Sequence, residues 1–208
     1  MAEKLSEKYD IRKLPPCIDL AKPVSKHADM LLGVLDGRLI VARSYYEKNS
    51  GLFAGCDPII TNERHDKEYP ADILLNFIDT EKAVIGYKKA LTKLINKPVI
   101  NVKQGYTRCS TLVCCNFAVS ADAGILSALS SLGYDTIQIS HGYIDLPGYD
   151  FGFIGGASFA DENTVYLFGS LSTHPDGEKI RAFIEKRGVN MIELSDDPLT
   201  DYGGAAIY

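Results

Sequence analysis

Cys109 stands in Gly105-Tyr106-Thr107-Arg108-Cys109-Ser110, a loop that enters an apolar run with an arginine as its immediate neighbour. A thiol attacks as its thiolate, and an adjacent cation favours that form. This makes Cys109 the candidate nucleophile; its plain alternative is a small apolar side chain at a strand start. By strand alternation Cys115 shares the face of Cys109 and Cys114 lies opposite, and both are expected in the core.

Proton handling falls to two groups of His and Asp. In His27-Ala28-Asp29 the two polar side chains are two apart, so on a strand they point the same way and act on one substrate. The Asp recurs as Asp72 without its His, which gives that carboxylate a structural reading as well. His141 is followed by Asp145 and Asp150, the densest set of titratable groups in the chain, in a loop shaped by Gly142, Pro147 and Gly148. These residues suit proton transfer or the holding of a cation; a polar loop bonding its own backbone is the alternative. Asp196, Asp197 and Asp201 occupy the equivalent place one unit later, an acidic rim that suits a cationic ligand. His65, within Glu63-Arg64-His65-Asp66-Lys67-Glu68, reads as solvent-exposed, and His174 as part of a helix start.

The elements that position these residues repeat. Asp29-Met30-Leu31-Leu32-Gly33-Val34-Leu35 returns 43 positions later as Asp72-Ile73-Leu74-Leu75-Asn76-Phe77-Ile78, each followed by a polar turn and a second apolar run. A period of this size marks copies of one supersecondary unit. Taken as strand, strand, helix, strand, the unit fits four stretches, at about 28–61, 71–103, 109–140 and 150–195. Strands are expected at 30–35, 73–78 and 151–158, and helices at 87–95, 123–132 and 175–187. Asp122 is placed to cap the second of these helices and Thr173 the third, with Pro175 in its first turn and Gly133 and Gly188 as stops. The leftover run 202–208 reads as the first strand of a fifth unit, completed by the N-terminal segment 11–20, so that one domain, 1–208, closes into a ring without an open edge.

The bulk numbers agree with a globular chain: 208 residues, 46% apolar and 24% charged. A formal net charge of -5 with mixed signs argues against nucleic acid or an anionic membrane as partner. The basic stretch 82–97 reads as the solvated face of a helix. No apolar run approaches the ~20 residues of a membrane span, and the charged first ten residues lack a signal peptide's apolar region, so a cytoplasmic protein is expected. The five cysteines show no CxxC pairing and stand apart from the histidines, which points to free thiols and to no metal site. There is no phosphate loop and no dinucleotide fingerprint, so no cofactor is implied. The sequence assigns no oligomeric state.

Four copies of strand-strand-helix-strand with Gly203-Gly204 near the C-terminus resemble the pentein fold of the guanidino-group-modifying enzymes, the superfamily of arginine deiminase, agmatine deiminase and dimethylarginine hydrolase. Within it, the segment 141–158, with its His141-Gly142-Tyr143-Ile144-Asp145 and Gly155-Gly156-Ala157-Ser158, is similar to an uncharacterised bacterial group of short proteins. The resemblance implies an α/β propeller of ββαβ units around a pseudo-fivefold axis. It also implies a Cys nucleophile, a proton-handling His and carboxylates that hold a planar cation, without metal or organic cofactor. On that pattern Cys109, His141 and His27 are the catalytic candidates. Asp29, Asp72, Arg108, Asp145, Asp150 and Asp201 are the candidates for binding a guanidine or amidine. The superfamily's own nucleophile follows the C-terminal Gly-Gly; here Gly203-Gly204 leads to Ala205-Ala206-Ile207-Tyr208. Two functions follow as expectations: C–N hydrolysis of the deiminase type, or a non-catalytic pentein that serves as a binding or interaction module, as in the ribosome anti-association factor of eukaryotes and archaea.

Overall fold

The structure, a computed structural model, describes residues 1–207. It is a mixed α/β fold with four three-stranded sheets: β1 (Leu32–Leu35), β2 (Arg38–Ala42) and β3 (Ile59–Thr61); β4 (Ile78–Asp79), β5 (Val84–Gly86) and β6 (Val99–Asn101); β7 (Thr111–Cys114), β8 (Phe117–Ser120) and β9 (Asp135–Gln138); β10 (Ser158–Asp161), β11 (Thr164–Leu167) and β12 (Asn190–Glu193). In every sheet the middle strand pairs antiparallel with the first and parallel with the third. The antiparallel pairs need only tight turns, and Asp36, Cys115 and Glu162 take the left-handed conformation that such turns demand, at φ 51°, 50° and 48°. The parallel pairs need a crossover. Three of the four crossovers carry a helix: α3 (Arg43–Lys48), α4 (Ala123–Ser131) and α5 (Gly177–Glu185), which follow α1 (Ala2–Leu5) and α2 (Ala28–Leu31).

Local chemistry explains these helices. The Asp122 carboxylate accepts from the Ile125 N–H at 2.8 Å, the expected cap of α4, and Gly133 turns the chain at φ 95° beyond its end. α5 begins later than expected: Asp176 stands at its N-cap, and Thr173 belongs to a preceding 3₁₀ turn, Leu171–Thr173. Ile180 and Ile184 are fully buried from one face of α5, as their spacing predicts.

Four expectations are corrected. The helix at 87–95 does not form, because remote groups take its inner donors: the Leu74 carbonyl accepts from the Thr92 N–H at 3.1 Å and Glu63 Oε1 from the Lys93 N–H at 2.9 Å. The basic stretch 82–97 is therefore no helix face. The strand expected at 30–35 begins only at Leu32, since Met30 and Leu31 donate to the His27 carbonyl in α2, and that expected at 73–78 shrinks to Ile78–Asp79 after a 3₁₀ turn, Ala71–Ile73. The strand expected at 151–158 begins only at Ser158. Finally, no fifth sheet stands among the described residues. Gly203 and Gly204, at φ 83° and 64°, lie outside any strand conformation. The tail is fastened instead by Tyr202 N and Gly204 N, both donating to the Gly156 carbonyl, and by the Asp29 N–H donating to the Gly203 carbonyl. Pro15 and Pro16 deprive segment 11–20 of ladder donors, and Pro15 is held through its carbonyl by the Tyr45 hydroxyl. Tyr208, the last residue of the expected closing strand, lies outside the described residues.

The core is built where the sheets' inner strands meet, around residues such as Leu31, Ile40, Leu75, Ile85, Phe117 and Val165, none more than 1% exposed. Among the described residues no helix is long and apolar enough to cross a membrane.

Candidate functional site

One group of the core's polar exceptions gathers around Asp29. Asp29 lies in α2, His27 immediately precedes it, Asp201 comes from the C-terminal tail and Cys109 from the loop before β7; all four are buried. His27 and Asp29 meet as expected, although on a helical turn rather than a strand: His27 Nδ1 lies 4.0 Å from Asp29 Oδ1 and 3.6 Å from Asp201 Oδ1. Asp201 is well bonded, its two oxygens accepting from the Gly203 and Phe153 N–H groups at 2.9 Å each. Gly156 makes room for it, since a Cβ there would stand 1.9 Å from Asp201 Oδ1. Asp29 is the opposite case. Both of its carboxylate oxygens are buried and neither has a hydrogen-bond partner.

Arg108 reaches the same place. Its guanidinium donates to the Leu32 carbonyl at 3.1 Å and to the Ala205 carbonyl at 2.7 Å, tying the start of β1 to the tail. Arg108 and Asp29 both line a cavity of about 370 Å³, with Ser158, Gly204 and apolar walls that include Phe159 and Ile207.

Asn76 organises the cluster and was not singled out from sequence. It is fully buried; its Nδ2 donates to the Asp29 carbonyl at 2.9 Å and to the Cys109 sulfur at 2.8 Å, and its Oδ1 accepts from the Arg108 N–H at 2.8 Å. The one available signal was its place in the repeat, where the first copy has Gly33.

Burial and like charge set the protonation states. Asp201 is pushed up to about 7, first by burial and then by the charge of Asp29, against the pull of the Phe153 and Gly203 N–H groups. Burial lowers His27, and Asp29 only partly opposes it, so the imidazole is neutral at pH 7. Burial, followed by the charges of Asp29 and Asp201, raises Cys109 well above its ordinary value. The expectation that Arg108 would make this thiol a thiolate is therefore not met: burial and two acids raise it, and the guanidinium is turned to the Leu32 and Ala205 carbonyls.

The remaining candidates stand elsewhere. His141 is exposed, packs its ring against Phe151 at 4.1 Å and lines a separate cavity of about 280 Å³ with Ser110, Asp122 and Phe153. Asp145 and Asp150 are exposed, and Asp145 serves the cluster through its backbone, its carbonyl accepting from the Asp201 N–H at 2.8 Å. Asp72 accepts from the Tyr106 hydroxyl at 2.6 Å, while its other oxygen is buried without a partner. Asp196 and Asp197 are exposed whereas Asp201 is buried, so the three form no common rim. His65, read as exposed, is 4% exposed with both nitrogens unpartnered, and burial lowers it to about 4. Cys115, read as core, is exposed in the β7–β8 turn, while Cys114 is buried. Among the described residues no three His, Cys, Asp or Glu side chains stand close enough together to hold a metal ion.

No curated protein matches the chain. A family of unknown function, DUF6873, matches residues 1–206, and the chain belongs to that family.

Proposed function

We propose that this protein is a pentein-like fold whose fifth position is taken by the C-terminal tail, and that it binds a small organic cation, a guanidine or an amidine, at Asp29. The observation that carries the reading is Asp29, a residue that lines the cavity and whose two carboxylate oxygens are buried without a hydrogen-bond partner. A buried carboxylate left without hydrogen bonds costs several kcal/mol. A planar cation with two parallel N–H groups would satisfy both oxygens at once. Asp201, beside it, becomes a second acceptor charge once its proton leaves.

Binding is favoured over hydrolysis by the state of Cys109. Attack on a guanidinium carbon requires a thiolate, and this thiol is held protonated by its burial and by the two acids. His141, the expected proton carrier, faces the other cavity. The four repeated sheets and the convergence of Asp29, Arg108 and Asp201 from three units support the pentein-like arrangement.

Thermal-shift and calorimetric titration at pH 8 with guanidine, agmatine and arginine, with neutral urea as control, tests the reading. The cations are expected to stabilise the native chain, by about 2.7 kcal/mol at a hundred times Kd, and Asp29→Asn is expected to remove the effect. No response to any cation overturns the proposal. Steady release of ammonia or urea from agmatine overturns the non-catalytic reading.

A further inference from the structure

Cys114 and Cys115 are adjacent in sequence, and on a regular strand they would point to opposite faces. Cys115 instead opens the β7–β8 turn at φ 50°, which breaks the alternation and brings the two sulfurs to one side, 3.6 Å apart. The neighbouring β10–β11 turn fixes that orientation. The Glu162 carbonyl faces both sulfurs, at 3.7 Å from Cys114 and 3.4 Å from Cys115, and Asn163 Oδ1 lies 3.8 Å from Cys115. Cys115 is exposed and Cys114 is buried behind it.

We propose that Cys114 and Cys115 form a dithiol clamp for a trivalent arsenical, a compound of the class R–As(OH)₂, closed across the β7–β8 turn.

Separation selects the class. A disulfide would have to bring the sulfurs to about 2.05 Å across residues whose Cα atoms are about 3.8 Å apart, below the usual disulfide span of about 4.4–6.8 Å. Two sulfurs each held about 2.3 Å from one central atom, a typical thiolate–metal length, stand roughly 3.3–3.8 Å apart for angles of about 90–110° at that atom. The observed 3.6 Å therefore suits a bridging atom better than a direct bond. Charge selects further. Burial and the neighbouring thiol push Cys114 up to about 12, so a divalent metal has to displace a tightly held proton. An arsenical brings its own acceptors for those protons, the two hydroxides that it loses. Two As–O bonds break and two As–S bonds form, each thiol proton departs with a hydroxide as water, and arsenic stays trivalent. No net charge is buried and no oxidant is consumed.

The test is a titration of the full chain with phenylarsine oxide, read by intact mass and by protection of Cys115 from iodoacetamide. One adduct per chain is expected at one equivalent, stable to monothiol and reversed by dimercaptopropanol. Cys115→Ser, in an exposed turn, is expected to abolish it, and Cys109→Ser to leave it intact. An adduct that survives in Cys115→Ser, or no adduct at one equivalent, overturns the proposal. So does zinc, if a parallel titration shows that it protects Cys115 as well as the arsenical does.

Discussion

Asn76 and Cys109 are bonded to each other in both directions: the amide Nδ2 donates to the thiol sulfur at 2.8 Å, and the Cys109 N–H reaches back to the amide oxygen at 3.4 Å. The same side chain holds the Asp29 carbonyl and the Arg108 N–H, so one fully buried amide fixes residues of three units. Asn76→Leu, close in volume, leaves the Asp29 carbonyl and the Arg108 N–H buried without partners. Each such loss costs about 1–3 kcal/mol, and a fall of about 3 kcal/mol in unfolding free energy is expected by urea titration with an unchanged slope. A loss below 0.5 kcal/mol would remove Asn76 from its central place.

The pair of acids predicts a pH dependence whose sign follows from Asp201. Its carboxyl is raised from 3.8 to about 7 in the folded chain, so the native state binds a proton more tightly than the unfolded state between those values. Stability from this group is fully present below the unfolded value and is lost as pH rises through 7. The contribution of Asp201 should therefore fall as pH rises towards 7. The buried His27, His65 and His174, all lowered, add stability over the same range, so the sign is read from the difference in melting temperature between the wild-type chain and Asp29→Asn. Asp29→Asn, which removes the charge that helps raise Asp201, should flatten the fall. Cation affinity should move the other way, rising about tenfold per pH unit below 7, where one proton must leave, and levelling above it. A melting temperature of the wild-type chain that does not lose ground to that of Asp29→Asn between pH 5.5 and pH 7 would refute the assignment.

What could be read from sequence was what local chemistry decides. The repeat located the turns between β1 and β2 and between β4 and β5, Asp122 announced α4, and the pairing of His27 with Asp29 was visible from their spacing. What failed was decided at long range. Nothing in 87–95 reveals that Leu74 and Glu63 will take two of its N–H groups. His65 sits in a run of charges and is buried all the same, by contacts that the run does not encode. His141 lines the cavity walled by Gly152, Phe153 and Ile154, whereas Cys109 is buried against Asn76 and lines neither cavity, and that is a property of packing. Asn76 was hidden because an Asn between two apolar residues looks like any tolerated polar substitution until its bonds to Asp29, Arg108 and Cys109 are seen.

Glycine at 156 is required by Asp201, and its replacement separates the site's geometry from its chemistry. A Cβ on Gly156 would stand 1.9 Å from Asp201 Oδ1 and 2.3 Å from its Cγ, so Gly156→Ala must drive the carboxylate away from the Phe153 and Gly203 N–H groups that hold it. Two buried donors then lose an ionisable acceptor, which with the overpacking amounts to about 3 kcal/mol. Gly51→Ala is the control, because a Cβ there meets nothing within 4 Å and the backbone needs no left-handed conformation. The expected result is a large fall in melting temperature for Gly156→Ala and none for Gly51→Ala. In whatever Gly156→Ala chain remains folded, guanidine binding should be weakened while the arsenical clamp at Cys114 and Cys115, built on another turn, is kept. Loss of both together would mean that Gly156 supports the whole fold rather than the Asp201 pocket.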